Sequence, residues 1–355
     1  MKKLIALLLL LLSFNAGAGE NSEAFQNLLK KEWEFRSNEY PYLARKDGNK
    51  EKAGQIMHVS EKDQLRRYEY WKQIKNELAV ISCENLEREE CINYRMFKRQ
   101  IHQFLADYET KAYLIPFNSD SGFYMSWTWW GNDADIISVE DYRNYLSRLE
   151  ALPVVMDEYI ALMREGIRSG MTQPRVILAG REEPIRKQLV ENPERSAFYK
   201  PFLNMSEEIR EAEKQELIAQ AEAVIMEGVV PAYERLLDFF EDEYFIKARD
   251  TLGASSLPGG ERFYDEQIYR YATVDMTAEE IHQLGLSEVA RIRAEMETII
   301  RDLEFEGDFA AFIEFLRTDP QFYAKTPREL LAEASYFAKK ADGRLPQLFG
   351  KLPRQ

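Results

Sequence analysis

The sequence predicts an all-α fold, built from long amphipathic helices in a multi-helix assembly with at most a minor β element. Over residues 22–37, 61–80 and 87–110, apolar residues recur at spacings of three and four with charged residues between them. This is the period of a helix with one buried face. Runs of alternating β-branched residues, which would indicate strands, are short. A strand around Tyr124–Trp129 is the exception that the sequence allows.

Helix starts are marked at four places by residues that cap a first turn. Ser60–Asp63 and Ser138–Asp141 have the pattern S-x-x-D, whereas Thr277–Glu280 and Thr326–Glu329 have the capping-box pattern T-x-x-E. In these patterns the hydroxyl and the carboxylate each accept a bond from a backbone N–H that the helix leaves without a partner. Pro327 suits the first position of the last of these helices. The predicted helices are 61–80, 139–168, 278–303 and 327–341.

A longer charged stretch, from about residue 206 to 249, has helical periodicity but contains Pro231. Proline lacks the N–H that a helix interior needs, and its ring clashes with the preceding turn. The sequence therefore predicts a kink, or two helices that meet, at this position. The largest pieces without a helical pattern are 117–136 and 251–263, and we expect loops there.

The N-terminus, "MKKLIALLLLLLSFNAGAGE", has the three parts of a secretory signal peptide. Lys2 and Lys3 form a positive start, Leu4–Leu12 form an apolar core too short to span a bilayer, and Ala16-Gly17-Ala18 is a small-residue cleavage site. We therefore expect residues 1–18 to be removed by cleavage after Ala18. The remaining chain, 19–355, is expected to be exported, to a bacterial periplasm, with no membrane attachment after cleavage.

The composition is acidic, with a net charge of −14. Nucleic acids and anionic membranes select basic surfaces, so neither is an expected partner. The charge excludes these two classes of partner and selects no substrate.

Cys83 and Cys91 are the two cysteines, in "CENLEREEC". An exported protein can form a disulfide between them. On one continuous helix, eight residues rise about 12 Å, which exceeds the Cα separation of about 7 Å that a disulfide allows. A bond therefore requires a break in the helix, which "ISCEN" can supply as a short loop. A disulfide and a pair of free thiols both stay open.

The sequence contains no recognisable catalytic or metal-binding motif. His58, His102 and His282 are its three histidines, and no pair has the H-E-x-x-H spacing of zinc peptidases. Glu279 and His282 are spaced i, i+3, but a di-iron bundle needs two such motifs and two further glutamates. The G-x-S-x-G elbow, the P-loop and G-x-G-x-x-G are also absent. The residues thus identify no catalytic residue, no metal ligand and no cofactor for this chain.

One aromatic cluster is a candidate binding surface. Trp127, Trp129 and Trp130 lie close to Phe123 and Tyr124 within a predicted loop. In an exported protein such a cluster can stack on a sugar or line a peptide cleft. It can also be a buried cluster beneath a long loop. Both interpretations stay open.

Five stretches of the sequence resemble a known family. They are "CINYRMFKRQI" and "REGIRSGMTQPRVIL" in the first half, "LPGGERFYDEQIYRYATVDMTAEEIHQLGLSEVARIRAEMETI" from Leu257 on, "FIEFLRTDPQFYAKTPRELL" (312–331) and "LPQLFGKLPR" (345–354). In these motifs the sequence resembles the bacterial domain of unknown function 885 family. The resemblance extends over essentially all of the chain after residue 18, and it implies zinc peptidases.

The resemblance places zinc on a His-Glu-x-x-Pro-Gly-His stretch downstream of the segment similar to "LPQLFGKLPR". The given sequence ends at Gln355, one residue past that segment, so the zinc ligands and the glutamate general base have no matching positions. We therefore expect residues 19–355 to be a helical N-terminal portion of a peptidase-like domain, truncated before the metal-binding part and inactive alone. Zinc is then expected in the full-length parent, and the helix with Glu279 and His282 is scaffold.

Two functions stay open at this point. The first is the N-terminal portion of an exported zinc-dependent peptidase, whose full-length form takes peptide substrates. The alternative is a non-catalytic periplasmic helical binding protein that uses the aromatic segment 123–130. For the first, Tyr264, Arg270 and Tyr271 are expected in the wall of the substrate cleft. The Arg270 guanidinium could hold a carboxylate of the substrate by two parallel hydrogen bonds. Its alternative role is an ion pair with an acidic residue inside the protein.

Overall fold

The computed structural model describes residues 2–132 and 136–352, with side chains from Gly19 onward. The predicted cleavage site after Ala18 lies outside the described side chains and stays a prediction. The chain divides into two compact units, Met1–Asp275 and Met276–Gln355. The all-α prediction is confirmed, and within the described residues extended pairing is limited to two isolated bridges. In this part of the chain no helix is both long and apolar enough to cross a membrane.

The first unit is a helical assembly in which the predicted helix starts are found. Ser138 and Asp141 form both halves of a capping box, and the Ser60 hydroxyl accepts a bond from the Asp63 N–H. The predicted helices 61–80, 87–110 and 139–168 are confirmed to within one or two residues. The helices of this unit are α1 (Lys2–Glu39), α2 (Pro41–Lys46), α3 (Glu61–Ala79), α4 (Arg88–Glu109), α5 (Phe123–Trp127), α6 (Val139–Ser169), α7 (Glu183–Arg186), α8 (Lys200–Leu203), α9 (Glu211–Val224), α10 (Val230–Phe239), α11 (Phe245–Lys247) and α12 (Gly260–Ala272).

The kink predicted at Pro231 takes the form of a wide helical turn. A π-helical segment, Ile225–Val229, joins α9 to α10, and Pro231 lies in the first turn of α10. The residues before it keep helical dihedrals, so Pro231 lies inside a continuous helical run, and the wider turn accommodates a residue that has no N–H to donate. A second π-helical segment, Phe240–Tyr244, follows α10. Two helices therefore do meet at the proline, joined by a turn that contains an extra residue.

The larger core of this unit lies around α6, α9 and α10 and contains fully buried tyrosines. The Tyr145 hydroxyl donates to the Phe198 carbonyl at 2.9 Å, and the Tyr233 hydroxyl donates to the Tyr124 carbonyl at 2.6 Å. A buried hydroxyl without a partner would cost free energy, so these bonds let tyrosine fill the core. Other fully buried members are Leu149, Leu152, Val155, Met156, Leu178, Ala221, Ile225, Ala232 and Tyr244.

A smaller core joins α1, α3 and α4, and the disulfide closes one end of it. Cys83 and Cys91 are bonded, with their Cα atoms 5.0 Å apart. The break that this bond requires is a 3₁₀ turn over Cys83–Asn85, three residues before α4 begins. The disulfide, and not the pair of free thiols, is therefore present. The buried residues of this core are Phe25, Leu28, Trp71, Ile74, Leu78, Ile81, Tyr94, Phe97, Ile101 and Leu105.

The strand allowed around Tyr124–Trp129 is wrong, because that segment contains the short helix α5. A helix brings residues four apart onto one face, and Phe123 and Trp127 accordingly lie with ring centroids 5.2 Å apart. Phe123 also stacks on Tyr159 of α6, with 3.8 Å between centroids. Phe123, Tyr124 and Trp127 are thus buried core residues, whereas Trp129 is 71% exposed. This burial favours the cluster beneath a loop over the exposed binding surface.

The second unit has well-formed helices with little burial. Thr277 and Glu280 form a complete capping box, and the Thr326 hydroxyl accepts from the Glu329 N–H, so the predicted helices 278–303 and 327–341 are confirmed. Ile300, with 7% of its surface exposed, is the one buried residue among those described in this unit. Its helices are α13 (Ala278–Asp302), α14 (Phe309–Thr318), α15 (Pro327–Asp342) and α16 (Leu345–Leu348). Its exposed large apolar residues include Leu284, Leu286, Val289, Ile292, Met296, Ile299, Leu330, Leu331, Tyr336 and Phe337.

Candidate substrate-binding cavity

A cavity of about 720 Å³ lies within the first unit. Its walls come from α3 and α4, from the turn that precedes α5, and from α12 with the loop before it. This volume is in the range of about 300–1,000 Å³ that small-ligand sites occupy. The cavity is therefore large enough for a few amino-acid residues or a molecule of similar size.

Two rows of aromatic rings form much of the wall. In the first row, Trp71 lies between Tyr40, at 6.4 Å between centroids, and Phe104, at 4.3 Å. In the second row, the Tyr108 ring lies 4.3 Å from Tyr68 and 5.4 Å from Tyr113, and both pairs are stacked. Rings in contact hold one another in place and present apolar faces with polar edges. Such walls accept apolar or aromatic groups of a ligand.

Arg67 is a buried cation in the cavity wall, with 3% of its surface exposed. Its Nη1 donates to Glu39 Oε2 at 3.2 Å and to the His58 carbonyl at 3.0 Å. Arg66 holds the Glu39 carboxylate more closely, at 2.6 Å through Nη2 and 3.1 Å through Nε. Glu39 therefore balances the charge of Arg67 only in part. Burial raises the pKa of the neighbouring Tyr40 to about 12, so that ring is a neutral phenol at neutral pH.

Arg270 and Asp107 form an ion pair across the cavity wall, between α12 and α4. Burial raises the pKa of the Asp107 carboxyl, and the Arg270 charge opposes that rise. Arg99 of α4 also donates to the Tyr269 and Arg270 carbonyls at the end of α12. The role of Arg270 in this structure is thus the ion pair inside the protein.

Arg249 shapes the loop that enters the cavity from the other side. Its Nε donates to the Thr172 carbonyl at 2.9 Å, and its Nη1 donates to the carbonyls of Thr251, at 2.5 Å, and Gly253, at 3.0 Å. Burial lowers the pKa of Arg249. The Arg249 donors therefore bind backbone carbonyls. The guanidinium charge stays near the cavity as a fixed positive centre.

The start of α12 requires glycine at the position that touches this loop. A Cβ placed on Gly260 would lie 2.3 Å from the Ala254 carbonyl oxygen, closer than real contacts allow. Gly259 has φ of +67°, a left-handed conformation that favours glycine. The "LPGG" sequence thus lets α12 begin directly against the loop, so that Phe263, Gln267 and Arg270 reach the cavity.

The three residues predicted for the cleft wall have different positions on or next to α12. Arg270 and Tyr271 line the cavity, and Tyr271 is 80% exposed. Tyr264 is 45% exposed and lies outside this lining. Sequence reasoning missed Arg67 and Asp107, because each reads as an ordinary charge on an amphipathic helix. Only the packing of α3 against α4 brings them to the cavity, so their local patterns contain no signal of it.

The described residues include no set of side chains that could serve together as metal ligands. His58 pairs with Glu158 at 2.8 Å, His102 pairs with Glu266 at 2.7 Å, and His282 is exposed on α13. Over residues 19–132 and 136–352, no group of three or more histidine, cysteine or acidic residues could hold a metal ion. These residues do not fit the zinc that the resemblance implies.

The model of the family described as "Bacterial protein of unknown function (DUF885)" matches residues 41–355. The chain belongs to the DUF885 family. A solved structure, described as "the putative lipoprotein from Colwellia psychrerythraea", is similar with a TM-score of 0.74 at 20% identity. The match covers 96% of this chain and 61% of that one, so this chain spans 61% of the neighbour's length. At this identity the likeness shows a shared fold. No curated protein matches the chain.

Proposed function

We propose that this DUF885 chain is the peptide-binding portion of an exported, peptidase-like hydrolase. The observation that carries the proposal is the cavity of the first unit, which combines aromatic walls with fixed charges. Export is supported by the signal-like residues 1–18, and by a structural neighbour that is described as a lipoprotein.

The polar residues of the cavity suit a peptide backbone. Gln64, Gln173 and Gln267 line it, and a glutamine amide can both donate to a carbonyl and accept from an N–H. The side chain of Gln173 already donates to the Phe117 carbonyl at 2.6 Å, which orients its remaining polar atoms. The two aromatic rows would accept apolar side chains of the same peptide. This pairing of apolar walls with a few placed polar groups is typical of ligand sites.

Hydrolysis requires groups that the described residues do not supply. We propose that the zinc ligands and the general base belong to polypeptide outside residues 1–355, as the family resemblance implies. When bound, such a metal would polarise the scissile carbonyl and activate water. The role of the residues present is then to bind the peptide, to orient it and to exclude water from the aromatic walls.

A non-catalytic binding protein is the second candidate, and one observation favours it. All residues that line the cavity lie between Tyr40 and Tyr271, so the cavity is complete within one unit of this chain. The binding surface in this case is the same cavity, since Phe123, Tyr124 and Trp127 of the segment 123–130 are buried. The two candidates share the binding step and differ in whether cleavage follows.

Peptide binding is tested with the intact chain, produced by export from a bacterial host. The probe is a tripeptide amide, Ala-Ala-Phe-NH₂, titrated by calorimetry. Tyr271→Ala is expected to raise Kd about fivefold, the loss for about 1 kcal/mol of aromatic packing. Tyr264→Ala is the matched control, an exposed tyrosine on the same helix outside the lining. Equal Kd values for both variants would contradict the proposal.

Cleavage is tested separately, by mass spectrometry of the peptide after incubation with zinc. We expect no cleavage by residues 19–355, and cleavage by a product of the same gene that contains a His-Glu-x-x-Pro-Gly-His stretch. DNA sequence beyond codon 355 decides whether such a product can exist. If no reading frame encodes the stretch, the binding protein replaces the hydrolase.

A further inference from the structure

The cavity has a charge of opposite sign to that of the chain. Among the described residues that line it, the charged ones are Arg67, Arg249, Arg270 and Asp107, so positive charge is in excess. The chain as a whole has a net charge of −14. A positive cleft with low-dielectric walls concentrates anions. The cavity is therefore selective for an anionic group on its ligand.

The hydrogen bonds of these residues show which arginine is free to receive that group. Arg270 is paired with Asp107, and Arg249 is bound to several backbone carbonyls. The bonds of Arg67 to the rest of the described chain use Nη1 alone, so Nε and Nη2 are left. These two atoms form one edge of the guanidinium plane. That edge can make two parallel bonds to a carboxylate.

We propose that Arg67 binds the terminal α-carboxylate of the peptide, and that the last side chain of the peptide packs against the row of Tyr40, Trp71 and Phe104. This inference rests on the proposed function and names its substrate class: peptides with a free C-terminus and an aromatic or large apolar last residue. The Tyr40 ring lies 5.7 Å from the Arg67 guanidinium carbon, so the carboxylate site and the aromatic row adjoin.

The neighbouring charges favour a single carboxylate over other ligands. Glu39, Asp63 and Asp107 are nearby acids, and each is held by another arginine, Arg66 for the first two and Arg270 for the third, which reduces their repulsion of an incoming anion. A neutral sugar hydroxyl could accept from the free edge of Arg67 but would bring no charge, and charge-assisted hydrogen bonds to a carboxylate are the stronger ones. One guanidinium edge offers two donors, which matches two carboxylate oxygens.

The test compares two probes on the unaltered chain: the tripeptide Ala-Ala-Phe with a free carboxylate and its C-terminal amide. Calorimetry is expected to give a Kd about 10- to 100-fold lower for the free acid, the range that hydrogen bonds to a charged group supply. Equal Kd values for acid and amide would overturn the inference and leave peptide binding intact. If neither peptide binds, the proposed function fails as well.

Variants test whether Arg67 causes the preference for the free acid over the amide. Arg67→Gln is expected to make the acid and the amide bind equally, and Arg67→Lys to restore part of the difference. Arg66 still holds Glu39 in both variants, so no buried acid is left unpaired. Arg235→Gln is the control, because Arg235 pairs with Asp157 at the surface, away from the cavity lining. A preference for the acid that persists in a folded Arg67→Gln protein would also overturn the inference, and the probe comparison above holds even if that variant does not fold.

Discussion

The two units of this chain form helices by the same local rules but differ in what those helices bury. The first unit encloses Tyr145, Tyr233 and Leu149 completely, and the hydroxyls of these two tyrosines donate to backbone carbonyls. The second begins its longest helix with a complete capping box, yet Leu286 and Val289 on that helix are more than half exposed. Local signals therefore determine where a helix starts in both units, and only the first adds an extensive buried core.

The difference shows how much stability local interactions supply. Arg291 pairs with Glu288 and Glu295 along α13, and Arg293 pairs with Glu297. Exposed pairs of this kind are screened by solvent and contribute little. Burial of one large apolar side chain contributes about 1.5–3 kcal/mol. The free energy of unfolding should therefore come mainly from the first unit.

The largest expected effect is a core substitution in the first unit. Leu149→Ala, at a position that is 0% exposed, is expected to lower the free energy of unfolding by about 2–5 kcal/mol, because it leaves a cavity in a packed core. Leu286→Ala, at a position that is 54% exposed, is expected to change it by less than about 0.5 kcal/mol. Urea unfolding followed by circular dichroism measures both. A cost for Leu286→Ala as large as that of Leu149→Ala would mean that the surface of α13 is covered in solution, and the comparison would then fail.

The next effect concerns the disulfide, which only the first unit has. Cys83→Ser with Cys91→Ser is expected to lower the free energy of unfolding by about 2–3 kcal/mol, since the bond restricts a short loop of the unfolded chain. The same urea experiment on the unaltered chain, with and without a reductant, supplies the comparison. The double variant should not respond to the reductant. A reductant effect that persists in it would assign the effect to something other than this bond.

The smallest effect is a pH dependence of opposite sign at two acids, one in each unit. Burial raises the pKa of Glu32 above its ordinary 4.5, more than the Arg36 charge and the Trp71 hydrogen bond lower it. Its folded form holds the proton more tightly, so stability falls as pH rises through the raised pKa. The Thr277 backbone N–H and hydroxyl lower the pKa of Glu280 below 4.5, so stability there is lost as pH falls through the lowered value.

Urea unfolding between about pH 3 and pH 7 separates these two contributions. Glu32→Gln should remove the fall in stability above pH 4.5, and Glu280→Gln should remove a loss below it. If Glu32→Gln removed a loss of stability at low pH and Glu280→Gln removed one at higher pH, the causes assigned to the two pKa shifts, burial for Glu32 and capping for Glu280, would be wrong.

Much of the fold could be predicted from the sequence, because helix starts depend on neighbouring residues. Ser138 with Asp141, and Thr277 with Glu280, cap the helices that their spacing predicts. The disulfide required only a break between its cysteines. The helix at 123–127 could not be predicted, because its aromatic residues favour strands, and distant contacts such as those with Tyr159 of α6 and Tyr233 of α10 hold them in a helix.

Less of the candidate site could be predicted. Arg270 and Tyr271 were expected in a cleft wall and do line the cavity, but this position does not test their contact with a substrate. Arg67 follows Arg66 in the sequence, and nothing local distinguishes the buried arginine from its exposed neighbour. The cavity depends on residues up to 231 positions apart, from Tyr40 to Tyr271, and their proximity is a property of the packed chain.

The π-helical segment before Pro231 has a consequence on the scale of evolution. Its backbone bonds join residues five apart, so the turn contains one residue more than an α-helical turn. A lineage that lost that residue would restore an ordinary turn, and α9 and α10 could keep the same faces on the core. Phe240–Tyr244 offers the same freedom at the end of α10. Related chains can therefore differ in length by one or two residues between α9 and the second π-helical segment while their cores stay superimposable.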